Sequence, residues 1–299
     1  MTHARSGLAG QQRRAQFLWG WALVLPTVAG LIILNIWPMI RTIFESFYKA
    51  GDFGLSQTFV GLKNYQMAFQ DPRVLKSLRN ALLYMLMEVP VSIFLALLLA
   101  VFLNSKIRGR SFYRTLFFLP MVTAPAVVAM IWNWLYNANY GLINHIIGHR
   151  IYWISDPKLA LMSIAIVGVW SILGYNMVIL LSGLQEIPKD FYEAADIDGA
   201  GFWRQLFQIT IPLVSPTLFF VLVTRVIGAL QVFDVIYMIM TRDNPALESV
   251  QSPIYLFYRF AFEEKQRGYG ATVVVMLLVI TILITIAQQL LQKRWVIYE

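Results

Sequence analysis

Six apolar stretches, each long enough to cross the hydrocarbon core of a bilayer, decide what this chain can fold into. They run over about 17–38, 78–103, 116–136, 159–184, 213–240 and 271–291, and a helical span needs about 20 mostly apolar residues. A backbone polar group facing lipid has no water to bond, so runs of this length must be helices. The two-residue alternation of a membrane barrel is missing. Charged residues make up only 13% of the 299, against roughly 25% in ordinary soluble domains. The expected fold class is therefore all-α, a polytopic membrane protein with six transmembrane helices.

Residues 1–16 are polar, carry Arg5, Arg13 and Arg14, and are expected to form a disordered cytoplasmic tail. Arg13-Arg14 before an apolar run could be taken for an export signal. The run is too long for one, ends at Trp37-Pro38 and lacks a small-residue cleavage site, so it reads as the first span. Lys and Arg are shared about evenly between alternate segments, and density settles the orientation. Lys106, Arg108, Arg110 and Arg114 crowd one short hairpin, which the positive-inside rule places in the cytoplasm. Both termini, the short basic tail at 292–299 and the segment 185–212 then fall on the same side. The formal charge of +8 gathers beside the spans, where anionic headgroups attract it. No basic stripe with interleaved aromatics marks a nucleic-acid surface, and none is expected.

The segment between the fourth and fifth spans is a charged island, Glu193-Ala-Ala-Asp-Ile-Asp-Gly-Ala-Gly201, continuing to Ile209-Thr-Ile-Pro212. Pro188 suits a first helical position, Asp190 suits the first turn, and Gly199 and Gly201 supply a stop. One short helix over Pro188 to about Asp198 and a second over Phe202 to Gln208 are expected. Phe191, Ala194, Ala195 and Asp198 would share a face on which two alanines admit a partner backbone. That is the shape of a plug, not of a catalytic pocket.

The pattern Glu-Ala-Ala, three residues, Gly, nine residues, Ile, one residue, Leu-Pro resembles the EAA loop of binding-protein-dependent ABC importer permeases. Glu193, Ala194, Ala195, Gly199, Ile209 and Pro212 match in register, and Ile211 replaces the leucine conservatively. The resemblance covers nearly the whole chain from Phe17. Phe59-Val-Gly-Leu-Lys-Asn-Tyr65 and Gln231-Val-Phe-Asp-x-Ile-Tyr237 look like the sugar-type branch, and the whole is similar to the larger maltose-importer permease. One departure is Asp243-Asn244-Pro245, where relatives commonly carry Gly-Gly-Pro.

The resemblance implies a type I importer permease fold in a bacterial cytoplasmic membrane. It implies a second homologous permease, two ATP-binding subunits and an extracytoplasmic solute-binding protein. Its loop, with Glu193, Ala194, Ala195, Asp198, Gly199, Ile209 and Pro212, would couple to the ATPase. ATP and magnesium would be held by that partner, and no cofactor by this chain. No Gly-x4-Gly-Lys-[Ser/Thr] occurs, so the phosphate cradle built on that motif is missing. No nucleophile, base and orienting acid stand out as a set, and an enzyme is not expected.

Polar residues inside spans carry the remaining expectations. Glu88, Arg225 and Asp234 are intramembrane charges, which in lipid should face the bundle interior and find partners. Glu88 and Arg225 lie at comparable depth, and a pair across the bundle is expected, the alternative being a hydroxyl or a watery path for Glu88. By resemblance, Tyr175, Asn176, Thr224, Gln231 and Trp132 would line a path for a sugar; the other reading is helix-to-helix bonding. His145 and His149 lack an acidic third ligand, cysteine is absent, and no metal site is expected. The substrate stays open between an oligosaccharide and a glycerol-phosphate-like solute. A self-powered secondary transporter is the competing class, but matched interruptions in two halves are not seen.

Overall fold

The computed structural model describes residues 3–50, 57–105 and 108–297, with side chains described from Gln16 except at Ala50 and Gln57. Lys106 of the basic hairpin, the side chains of Arg5, Arg13 and Arg14, and residues 298–299 of the basic tail lie outside that description.

Helix α1, His3–Leu31, continues through a π-helical turn, Ile32–Ile36, into α2, Trp37–Glu45. The polar stretch expected to be a disordered tail is thus helical from His3; no proline precedes Pro26 to stop it. From Gln16 onward this helix packs on its own chain only near its end, where α2 meets α16. Trp19, Leu23 and Leu34 are more than two-thirds exposed, so lipid or another subunit must cover them.

A two-stranded hairpin follows, β1 (Tyr48–Ala50) antiparallel to β2 (Gln57–Phe59), with Tyr48 opposite Phe59. Helix α3, Lys63–Gln70, leads into α4, Pro72–Asn104. Asp71 caps α4 by accepting from Arg73 N at 2.9 Å, and the Tyr269 hydroxyl donates to the same carboxylate at 3.1 Å. Burial alone would raise the Asp71 pKa, but the Arg73 hydrogen bonds and charge, with Tyr269, hold it below the ordinary carboxylate value. The cap is therefore intact above about pH 4 and is lost only as the pH falls through the lowered value. Asn64, buried, donates to the carbonyls of Ser46 and Tyr48, and Thr272 donates to Ser46 O as well. These bonds lock the segment after the first span onto the start of the last.

The expected third span, 116–136, is broken. Helix α5, Arg110–Val122, and α6, Pro125–Leu135, meet at 99°. Pro125 is the cause: the residue before a proline is pushed to extended backbone, and Ala124 sits at φ −56°, ψ 136°. Helix α7, Leu142–Ile147, belongs to the following loop, and α8, Ala160–Glu186, is the fourth span. Helix α9, Asp190–Ile197, then precedes α10, Phe202–Gln205, a π-helical turn at Leu206–Thr210, and α11, Ile211–Leu213.

The expected fifth span, 213–240, is also revised. Its helix α12 covers Ser215–Leu230 and bends 75° from the preceding Phe202–Leu213 segment, with Pro212 and Pro216 at the turn. At 16 residues it is about 24 Å long, short of the roughly 30 Å hydrocarbon core. The backbone leaves the helix at Gln231, and α13, Asp234–Ile239, packs back on α6. The apolar run continued in the sequence because Ile236, Ile239 and Met240 are buried against protein, not because they face lipid. Phe233 stacks on Tyr237 at 5.1 Å and secures the break. Helices α14 (Leu247–Val250) and α15 (Pro253–Tyr258), then a π-helical turn at Arg259–Glu263, precede the last span α16, Arg267–Gln292. Among the described residues four helices thus suffice alone, and the count rises to six if each of the two bent pairs is one span.

Helix α8 is the axis of the bundle, packed against α4, α5 and α12. Small residues let these backbones approach, as membrane helices need when lipid gives no hydrophobic driving force. A Cβ at Gly174 would collide with the Phe117 carbonyl of α5, one at Gly168 with the Tyr84 hydroxyl of α4, and one at Gly183 with Thr217 of α12. Gly174→Ala is expected to lose about 1–3 kcal/mol of stability by overpacking. Gly20→Ala, where nothing lies within 4 Å, should be neutral or stabilising by up to about 1 kcal/mol. Thermal unfolding of both variants in detergent separates the two outcomes.

Candidate functional site

The residues expected to act fall in two regions: the α9 element at one end of the bundle, and a set of polar residues inside it.

Helix α9 begins at Asp190, two residues later than expected, with Asp190 and Glu193 in its first turn. It ends in a complete glycine cap. Ala200 N donates to Ala195 O at 2.9 Å, Gly199 N donates to Asp196 O at 3.1 Å, and Gly199 takes φ +70°, the geometry of a Schellman motif. Gly199 is therefore required by backbone conformation, since any side chain there is strained.

The element is clamped to the bundle. Gln205 Nε2 donates to Asp196 Oδ1 at 2.6 Å and to Ala200 O at 2.9 Å, and the Tyr192 hydroxyl meets Thr210 Oγ1 at 3.1 Å. Phe202 stacks on Phe102 at the end of α4. These contacts turn Tyr192 and Ala195 inward, while Asp196 stays exposed beside Gln205. The expected shared face of Phe191, Ala194, Ala195 and Asp198 is corrected accordingly: Ala195 is buried within this chain. The outward face carries Asp190, Glu193, Ala194 and Ile197, the last 88% exposed. Ile209 and Pro212 are half-buried where the chain bends into α12. A short charged helix fixed at both ends and bare on one face can transmit a push as a rigid body.

Inside the bundle, Arg225 Nη2 of α12 lies 2.8 Å from Glu88 Oε1 of α4, and Glu88 is fully buried. The two expected charges do meet. The contact is ionic without an aligned hydrogen bond, and Arg225 Nε is buried without a partner. Tyr84, one helical turn from Glu88, fills the space over Gly168. Pro90, two residues on, does not interrupt α4.

The remaining polar candidates divide. Thr224 and Gln231 are exposed on one face of α12, with Gly228 between them, and Thr224 donates back to Phe220 O at 2.9 Å. Tyr175 is 37% exposed, while its neighbour Asn176 is fully buried with both amide atoms unpartnered. Trp132 is buried, its indole N–H also unpartnered, edge-on to Trp170 at 5.7 Å and beside Tyr136 at 5.0 Å. Asp234 departs from expectation. It stands exposed in the first turn of α13, because the helix break at Gln231 carries it out of the span. The orphaned amide of Asn176 is notable, since a buried polar group without a partner costs about 1–3 kcal/mol.

Sequence reasoning missed the contact of Tyr84 with Gly168 and the buried guanidinium of Arg110 at the start of α5. A lone glycine in an apolar run gives no sign of which side chain covers it, and Arg110 read as one cation in a solvated hairpin.

A bundle of membrane-length helices with a short charged helix at one end defines an integral membrane protein. The chain belongs to the family described as binding-protein-dependent transport system inner membrane component, whose profile matches residues 78–297. It is 34% identical over 279 residues to the sn-glycerol-3-phosphate transport system permease protein UgpA of Agrobacterium fabrum, covering 92% of this chain and 94% of that one. It is 34% identical over 294 residues to the probable ABC transporter permease protein YesP of Bacillus subtilis, covering 96% and 94%. The fold matches a chain in the crystal structure of a bacterial alginate ABC transporter in complex with an alginate pentasaccharide-bound periplasmic protein. That match has a TM-score of 0.83, 21% identity, and coverage of 95% and 96%. The protein is a permease subunit, an integral inner-membrane component of a binding-protein-dependent transport system.

Proposed function

We propose that this subunit carries a carbohydrate inward across a bacterial cytoplasmic membrane. Energy would come from separate ATP-binding subunits, one of which receives α9. The carrying observation is α9 itself, clamped at both ends and bare on the Asp190, Glu193, Ala194 and Ile197 face. In this reading Glu193 and Gly199 are the principal coupling residues, one by charge and one by fixing the helix end. ATP and magnesium belong to the ATPase partner. The Glu193 loop, both termini and the basic hairpin lie in the cytoplasm, in keeping with the density of cations at Arg108, Arg110 and Arg114.

A second, homologous permease completes the path. Two surfaces ask for it: the uncovered first helix, and the exposed face of α12 bearing Thr224 and Gln231. Thr224, Gln231 and Tyr175 line the path in this reading, and Asn176 and Trp132 supply hydrogen-bonding groups behind it. An extracytoplasmic binding protein delivers the solute to the opposite end. Rigid-body rearrangement of the two permeases then alternates access.

A carbohydrate is favoured because the mid-span cation Arg225 is already engaged by Glu88, leaving hydroxyl-bonding groups to read the solute. The second reading is a glycerol-phosphate solute, favoured by the relative from Agrobacterium fabrum that is named for sn-glycerol-3-phosphate transport.

Affinity purification of the tagged chain from its native membrane should recover an ATP-binding subunit and a second permease. Uptake assays on that assembly with a radiolabelled disaccharide and with sn-glycerol 3-phosphate decide between the two solutes. Recovery of the chain alone, with neither partner, would overturn the importer assembly.

A further inference from the structure

Two adjoining cavities lie between the α9 end of the bundle and the basic hairpin, on the side of α9 opposite its bare face. One, of about 370 Å³, is lined by Arg110, Lys189, Gln185, Asn104 and Ser105, with no carboxylate among its described lining residues. The other, of about 420 Å³, is lined chiefly by Val101, Phe102, Phe202 and Leu206. The two share Asn104, Ser105, Leu184 and Tyr192 as a common wall. A cationic polar chamber thus opens beside an apolar one, at the end of two membrane spans.

Arg110, on the wall of the cationic chamber, has hydrogen-bonding capacity that the protein leaves unused. Nε and Nη2 of Arg110 are both buried and have no hydrogen-bond partner. A guanidinium presents a fork that fits the oxygens of a phosphate. Gln185, Asn104 and Ser105 offer further polar groups, and Lys189 adds a second cation at the start of α9. The two cations favour an anionic group in that chamber over a cationic one. The apolar chamber beside it, walled by the stacked rings of Phe102 and Phe202, does not suit a free inorganic anion.

We propose that the pair of cavities binds an anionic phospholipid, its phosphate on Arg110 and Lys189 and an acyl chain against Phe102, Phe202 and Leu206. The site rests on the placement of the Glu193 loop at the cytoplasmic face, which brings it to the level of the inner-leaflet headgroups. Bound there, the lipid ties the hairpin after α4 to α9 through Tyr192, which lines both chambers. It braces the coupling element from behind while the Asp190 and Glu193 face stays free for the ATPase.

Native mass spectrometry of the intact assembly, released from nanodiscs of mixed phosphatidylglycerol and phosphatidylcholine, tests the site. Wild type is expected to retain phosphatidylglycerol in preference to phosphatidylcholine. Retention should fall about fivefold in Arg110→Gln and by a similar factor in Lys189→Gln, as loss of one cation near the headgroup implies. Lys189 is exposed, so its variant reports binding even if Arg110→Gln folds poorly. Equal retention by wild type and Lys189→Gln would overturn the site. So would protection of the assembly against thermal unfolding by inorganic phosphate alone, with phosphatidylglycerol adding nothing, because the ligand would then be a soluble anion. Solute uptake by the same preparation reports separately on the transport reading, since lipid retention does not depend on what is carried.

Discussion

Glu193→Lys is expected to leave the permease in the membrane while abolishing ATP-driven uptake and the recovery of the ATPase with it. The Glu193 side chain makes no hydrogen bond or ion pair among the described residues and sits exposed in the first turn of α9. Reversing its charge therefore removes nothing from this chain's own packing. A small loss is expected from placing a cation at a helix N-terminus, about 0.3–1 kcal/mol. At an interface the same reversal opposes a partner chosen for a carboxylate, and losing a buried charged contact costs about 2–5 kcal/mol, on the order of a hundredfold in affinity. Membrane yield, co-purification and uptake are the three readouts, and only the first should stay at the wild-type level. A variant that keeps the ATPase and transports normally would remove Glu193 from the coupling role.

Arg225→Ala alone should destabilise the bundle by about 3–5 kcal/mol, because it strands the Glu88 carboxylate in a fully buried position. Replacing both partners with apolar residues of similar size, Glu88→Leu with Arg225→Met, is expected to restore most of that loss, since neither buried charge then remains. Folded yield and detergent unfolding of the two single variants and the double variant form a complete cycle. The cycle also bears on the solute. A double variant that folds and still carries a neutral disaccharide confines the pair to structure, whereas one that folds and carries nothing assigns it a place in the path. If the single and double variants were equally unstable, the pair would not be the element that joins α4 to α12.

The apolar runs that form the spans and the position of the short charged helix were legible in the sequence because both are written in local pattern. Apolar length gives the spans, and the Glu193 to Pro212 motif gives the element. Glu88 and Arg225 could be matched by depth alone, since two charges in lipid have few places to go. The breaks were less legible. A proline such as Pro125 announces a bend without its size, and the 99° turn between α5 and α6 depends on what each half packs against. The end of α12 at Leu230 was hidden, because residues buried against α6 are as apolar as residues facing lipid. The orientation of α9 was misread for a related reason. Two alanines look equivalent in sequence, and the Tyr192 and Asp196 bonds to the following segment decide which one turns inward.

The most direct test of a permease driven through α9 by a separate ATPase is solute uptake by the chain reconstituted in proteoliposomes, with and without its partners. Uptake that appears only when the second permease, the ATP-binding subunits, the solute-binding protein and ATP are all present is the expected result. Uptake by this chain alone, in the absence of ATP, would contradict it.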